Sequence, residues 1–431
     1  MRAMRTIGVL PLGMMFAVVL SHGCGDDGGM ATPTDDDTTA GEQTTAPSAA
    51  ESTTGGGPVA TTTTSDDADS SETGPPGMTC GNGIVEEGEL CLFDAVDFAV
   101  DMVPSDIVVA DLQGDGMLDI VTAAVGANGH SIMLGDGAGG FADPTLLLGG
   151  SGTRGVAVGH LDQDDILDLA GANPGTEYVA VYYGDGLGGF SAQTPVGAAS
   201  GPRAVQIADI DDDGWGDFIA AGEISGDITV RRGDGKGGFG DAEVYPVGPE
   251  PYDLVIADID GDELLDVAVA NQAEDTISVL YGTKAGTFTE EERIVVGASP
   301  RSIVAGDADG DGVTDLLTAN FDDNEVGLLH GDGKGGFRDL ERHSVGREPY
   351  GVVLADMTAD GMPEIVVVRR ETAELAVYER ETEGVYGVRG VFLVPLNPLA
   401  LDVADLDADG SPDVVVAAAG ANAVSVLMSF P

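Results

Sequence analysis

Positive charge is scarce in this chain. Its 431 residues carry 18 Lys and Arg against 75 Asp and Glu, a formal net charge of −57. That balance excludes the basic surface that nucleic acid demands, and it disfavours adsorption to anionic lipid head groups. It suits a protein that lives with divalent cations. Aromatic residues make up 5% and Trp is single, so no aromatic groove is expected. The five His, at 22, 130, 160, 330 and 343, have no recurring Ser or Cys partner, so no catalytic residue is expected. Nothing has helical spacing over a useful length. Gly, at 66, is abundant, as in a turn-rich β protein.

Long apolar runs are also lacking, apart from 7–20, which is too short to span a bilayer comfortably. Arg2 and Arg5 precede it, so 1–23 reads as an export signal. The signal ends at Leu20-Ser21-His22-Gly23-Cys24. This resembles the lipobox of bacterial lipoproteins, with Leu20 one place further from the Cys than usual. The resemblance implies that Cys24 is lipidated and anchors the protein to the envelope, at the outer membrane or cell surface. Ordinary cleavage after Gly23, and secretion, is the alternative. Residues 25–79 hold no aromatic, Lys or Arg, and are rich in Thr, Ser, Asp, Gly, Ala and Pro. Such a segment cannot bury enough apolar surface to order itself, so 24–79 reads as a disordered tether. Cys80 and Cys91 enclose a Gly-rich turn, and in an exported chain they read as a disulfide loop, 80–91. No His lies near enough for a zinc site. The stretch resembles a short disulfide repeat of myxobacterial surface proteins.

What the chain does have is one loop, repeated. Its cleanest copy, 307–315, places Asp307, Asp309, Asp311 and Asp315 at positions 1, 3, 5 and 9, with Gly312 at position 6. Alternating carboxylates, a backbone carbonyl and a closing carboxylate are how Ca²⁺ collects oxygen ligands, and glycine permits the sharp turn. The first positions are Asp111, His160, Asp209, Asp258, Asp307, Asp356 and Asp405, always 49 residues apart. All four carboxylates recur in Asp209, Asp211, Asp213 and Asp217; in Asp258, Asp260, Asp262 and Asp266; and in Asp405, Asp407, Asp409 and Asp413. The first copy offers Asp111, Gln113, Asp115 and Asp119, and the sixth Asp356, Asp360 and Glu364 beside Thr358. The fourth has Glu263 where glycine is wanted. The second begins with His160 and has Asp165 at the glycine position, which makes it the poorest site. Position 12 of the fifth copy is Thr318, so these are not EF-hands. The alternative to calcium is a set of Asp-rich turns capped by their own side chains.

The same period governs the rest. Pro recurs at 104, 202, 251, 300, 349 and 398, and Gly-Asp-Gly-x-Gly-Gly-Phe at 135–141, 184–190, 233–239 and 331–337. The Gly-rich motif precedes a strand and repeats, so it is a hairpin turn and not a dinucleotide site. Between these marks lie four short apolar runs per repeat, the pattern of a propeller blade. The last copy lacks its outer strand, and 49 residues before Phe141 stands Leu92. Residues 92–100 therefore supply that strand and close the ring. The expectation is an all-β, seven-bladed β-propeller over 92–431. This domain resembles the FG-GAP/VCBS repeat family, the propeller of integrin α-chain heads. The resemblance implies Ca²⁺ in the acidic loops and a role in adhesion or ligand binding.

One further column stands out. After each recurrent Pro position come Ser105, Arg154, Arg203, Tyr252, Arg301, Tyr350 and Leu399. Arg154, Arg203, Tyr252, Arg301 and Tyr350 are the ligand-binding candidates, expected around the channel mouth opposite the acidic loops. The alternative is that these Arg form salt bridges between blades. Trp215, inside the third acidic loop, is expected to pack on a neighbouring loop. The leading reading is a monomeric, non-enzymatic calcium-binding propeller of the cell envelope, with a glycan or protein ligand and a lipid anchor as its one membrane contact. A polysaccharide-active enzyme such as a lyase, or a structural spacer without ligand, are the alternatives.

Overall fold

The structure is a computed structural model and describes residues 78–80, 90–289, 291–382 and 384–429. The signal at 1–23, Cys24, the tether up to 77 and the interior of the 80–91 loop lie outside the described residues.

Seven four-stranded antiparallel sheets form the domain, in the sequence-predicted order. In blade 5 the innermost strand is Pro300–Gly306, followed outward by Asp315–Asn320, Glu325–Leu329 and Glu341–Ser344. The second strand is buried along its whole length, and the outermost alternates between half-buried and exposed. That gradient follows from position: the second strand is covered on both faces by neighbouring blades, and the outermost has solvent beside it. Ile107, Val156, Val205, Leu254, Ile303, Val352 and Leu401, which share one position of the 49-residue period, are buried throughout. The apolar core is accordingly divided among blade interfaces. One cluster joins blades 4 and 5 through Val255, Val279, Ile303 and Leu316, and another joins blades 5 and 6 through Val304, Leu328, Val352 and Ile365.

The last blade is made of Pro398–Ala404, Asp413–Ala418, Ala423–Leu427 and, from the opposite end of the domain, Val96–Ala99. The closing strand is shorter than the expected 92–100, but its register is the predicted one. Leu92 bridges Ser429 as Phe141 bridges Gly135 in blade 1. Phe98 meets Phe141 edge-on at 5.4 Å, and the seam is packed by Ile107, Met133, Val415 and Val426 like any other blade interface. Just before it, Met78–Cys80 pairs with Cys91–Phe93, and the register sets Cys80 opposite Cys91. Among the described residues no helix is long and apolar enough to cross a membrane.

Candidate functional site

Each acidic loop links an innermost strand to a second strand, so all seven open on one face. The first carboxylate folds the loop around itself. Asp111 Oδ1 accepts from Asp115 N at 3.1 Å and Oδ2 from Gly116 N at 2.8 Å, and Asp209, Asp258, Asp307, Asp356 and Asp405 repeat the pair. The self-capped turn is thus real, and it also aims the remaining oxygen lone pairs inward. Position 6 lies in the left-handed region: Gly116 has φ +85° and Gly312 +80°, and Asp165 and Glu263 are held there at +59° and +69°. A residue with a Cβ sits there at a cost of about 1–2 kcal/mol.

The ninth carboxylate does a second job that the sequence did not announce. Asp119 is buried; its Oδ2 accepts from Leu112 N at 3.0 Å and its Oδ1 from Gly135 N at 2.9 Å. Asp168, Asp217, Asp266, Asp315 and Asp413 do the same, stapling the acidic loop to the turn after the third strand. The close fit explains the first glycine of that turn: a Cβ on Gly135 would stand 2.1 Å from the Leu118 carbonyl oxygen. Burial pushes these acids up, to about 6 for Asp266 and Asp413 and about 7 for Glu364. Backbone N–H donors oppose that shift in each case.

The loops differ in what they gather. Ligand atoms of Asp209, Asp211 and Asp217, of Asp258, Asp260 and Asp262, of Asp307, Asp309 and Asp311, and of Asp405, Asp407 and Asp413 lie within 4.8 Å of one another in each set. These are the four loops with all four carboxylates. Such all-oxygen sets fit a hard cation of the calcium class. Blades 1, 2 and 6 bring no comparable set of carboxylates or imidazoles together among the described residues. In blade 1 the third position is Gln113; in blade 6 Glu364 is turned toward Met357 N, at 2.7 Å, and Thr358 Oγ1, at 3.2 Å. In blade 2, His160 Nδ1 lies 3.0 Å from the Ile166 carbonyl, so an N–H takes up an oxygen of the kind that calcium loops offer.

The Arg/Tyr column is brought together, but not at an open mouth. Arg203, Tyr252 and Tyr350 are buried, and Arg301 is 9% exposed. The Arg203 guanidinium lies 3.4 Å from the centre of the Tyr252 ring and pairs with Glu223 at 3.0 Å. Arg301 sits 3.8 Å from the centre of the Phe321 ring, and the Tyr252 and Tyr350 hydroxyls are hydrogen-bonded to each other. The expected ring of ligand contacts is therefore corrected to an interior plug. Stacking removes the guanidinium faces from water, and the converging strands leave the side chains nowhere else to go. Arg154 alone of the five remains half-buried. It lines a groove of about 580 Å³ with Pro174, Glu223, Ile224, Ser225, Gly226, Pro249 and Glu250, on the face opposite the acidic loops. Trp215 packs within its own blade, where its ring would lie 2.4 Å from a Cβ on Gly235.

The sequence reading missed a set of interior acceptors. Innermost strands are sheet edges, and their N–H groups need partners. Asp106 accepts from Val156 N at 2.8 Å, Gln206 from Ile256 N at 3.0 Å, Asp253 from Ile303 N at 3.0 Å and Asp402 from Val109 N at 2.9 Å. Each bridges to the adjacent blade. Burial holds the Asp106 carboxyl well above the usual range, and Asp402 adds to the shift. Polar residues in the middle of otherwise apolar innermost strands were the available signal.

No characterised protein matches the chain by sequence. In three dimensions it is similar to BBS1N, solved in complex with ARL6DN, with a TM-score of 0.57 at 13% identity, over 78% of this chain and 96% of that one. It is also similar to a putative 6-phosphogluconolactonase from Bacteroides uniformis, with a TM-score of 0.51 at 12% identity, over 70% and 98%. At such identities the likeness is one of fold. The family evidence is closer to the sequence: FG-GAP-like repeats match at 160–220, 209–269, 258–318, 307–367 and 356–416. Each match begins on the first position of an acidic loop. With five consecutive matches in register with five blades, the chain belongs to the FG-GAP-like repeat family.

Proposed function

We propose that this protein is a calcium-stabilised, non-enzymatic binding propeller of the bacterial cell envelope. The observation that carries the binding site is the groove at Arg154. One guanidinium, two carboxylates from Glu223 and Glu250, and the apolar Ile224, Pro174 and Pro249 converge there. Ile224 is 72% exposed at its rim. Such a mixed surface suits a polar ligand, a glycan or a protein segment, more than a bare anion. The BBS1N structure, solved with a protein partner, is a precedent for this fold as a protein-binding platform. The acidic loops face the other way, so cations support the groove without touching its ligand.

The test is a glycan array and an envelope-extract pull-down with residues 80–431, in calcium and in EDTA. Arg154→Ala should weaken capture of the retrieved ligand at least about tenfold, the effect of losing about 1.4 kcal/mol at an anchor residue. Undiminished binding by the folded variant moves the site off this groove.

The envelope location rests on the sequence around Cys24. Multiple acyl chains hold a membrane firmly where one does not. Cys24→Ala is expected to move the protein from the membrane fraction to the soluble one. An unmodified Cys24 in the mature protein, read by mass spectrometry, would refute the anchor.

A further inference from the structure

Blade 5 departs from the repeat at the inner end of its acidic loop. The same position of the 49-residue period holds Leu134, Tyr183, Arg232, Tyr281, Glu379 or Met428 elsewhere, and here it is His330, directly after the third strand. His330 is 4% exposed. Its Nδ1 lies 3.2 Å from Asp315 Oδ2 and 3.4 Å from Asp309 Oδ2, with the three ligand atoms within 4.8 Å of one another. Its Nε2 faces a third carboxylate, Glu341 Oε2, at 3.6 Å. Among the described residues this is the one cluster of ligand atoms that includes an imidazole.

A neutral imidazole has one N–H and one lone pair. Carboxylates face both nitrogens here, so the ring is placed to share a cation, a proton or a metal, with them. Two buried atoms beside it, Glu341 Oε2 and His343 Nε2, have no hydrogen-bond partner. They stand 3.6 Å apart. One guanidinium already faces the acids of this cluster, with Arg338 Nη1 3.6 Å from Asp309 Oδ2, and a bound metal would supply positive charge on the buried side of the group.

The donor type decides which metal. Calcium prefers oxygen ligands, whereas imidazole with carboxylates suits zinc and its neighbours. Ligand bonds of about 2.0–2.2 Å set tetrahedral donors roughly 3.3–3.6 Å apart, the spacing seen around Nδ1. A carboxylate on the far nitrogen is the usual means of fixing the tautomer of a metal-bound His. The outer half of the loop is meanwhile engaged by Arg338, whose Nη2 lies 2.9 Å from Asp311 Oδ2. We infer that blade 5 carries a transition-metal site of the zinc class, made by Asp309, Asp315 and Nδ1 of His330, with Glu341 orienting the imidazole. It lies beyond the calcium reading, because the donor sets of blades 3, 4 and 7 contain no His.

The experiment titrates the full chain with Zn²⁺ in millimolar Ca²⁺, and with Co²⁺ as a spectroscopic probe. His330→Tyr is the diagnostic variant, since blades 2 and 4 carry Tyr183 and Tyr281 at this position. His330→Gln is the second variant, and calcium-loaded melting shows that each folds. Wild type should bind one Zn²⁺ that Ca²⁺ does not displace and give a ligand-field spectrum with Co²⁺. Both variants should lose at least about tenfold in affinity, and Glu341→Gln about 10–100-fold. Equal Zn²⁺ binding by wild type and both variants would mean adventitious binding to the acidic surface and overturn the site. So would a His330 doubly protonated by NMR in the presence of Zn²⁺, because the imidazolium would then be the cation. A calcium response that persists in His330→Tyr separates failure here from failure of the calcium reading.

Discussion

Excess EDTA should lower the melting temperature of the calcium-loaded protein by roughly 10 °C, from the way stability changes shift midpoints in large domains. The estimate rests on linkage. A site with a Kd near 0.1 mM gains about 1.4 kcal/mol from 1 mM Ca²⁺, so blades 3, 4 and 7 together gain about 4 kcal/mol, and EDTA also strips the cation of blade 5. Four is the number of loops whose carboxylates converge. Without the cation, those carboxylates repel one another and the buried ninth acids are forced to ionise in a poor environment. The pH dependence follows with a definite sign. Asp266 and Asp413 are raised to about 6 and Glu364 to about 7 in the folded chain. Unfolded, they titrate near 4. The fold therefore binds more protons than the unfolded chain between about pH 4 and 7, and the chelated protein loses stability as pH rises through that window. Melted in EDTA, it should have a higher midpoint at pH 5 than at pH 8, and calcium should narrow the gap. Glu364→Gln should raise the chelated midpoint at pH 8 and leave it alone at pH 5, which separates this group from general charge repulsion. A midpoint unmoved by EDTA, in protein shown beforehand to be metal-loaded, would sink the calcium reading.

A chain that begins at Ser105 should fail to form a stable ring. It lacks Val96–Ala99, which pairs with Ala423–Leu427 and completes the last blade. It also lacks Leu92, fully buried against the core, and Phe98, packed on Phe141. Burying Leu92 fully is worth about 1.5–3 kcal/mol, and half-buried Phe98 adds a part of that. The loss is a large part of the roughly 5–15 kcal/mol by which domains are stable, before the bared strand edge is counted. Because every blade leans on its neighbours, an open seam exposes the blade 7–blade 1 interface as well. The comparison is with a chain that starts at 78, which should melt like the whole protein. Equal midpoints for the two truncations would show that the ring does not need its closing strand.

The 49-residue period determined the architecture by itself. It fixed the blade number, the face on which the acidic loops open, and the exchange of the outer strand between the two ends, because identical spacing repeats identical geometry. It also marked the four loops with all four carboxylates, and these are the ones that gather them, but it counted blades 1 and 6 as cation loops too, and only the structure sets those two apart. Burial lay outside its reach. The column from Arg154 to Tyr350 was correctly placed on one ring, but whether that ring faced water depended on how tightly seven strands converge. The second role of Asp119 and its equivalents was likewise hidden, because the backbone N–H groups that they satisfy come from two different turns. Blade 5 shows the same limit most clearly. Its loop matches the consensus best, yet His330, Arg338 and Glu341 lie 15 or more residues beyond Asp315. Only the folding of the third and fourth strands back onto the loop brings an imidazole and a guanidinium against its carboxylates.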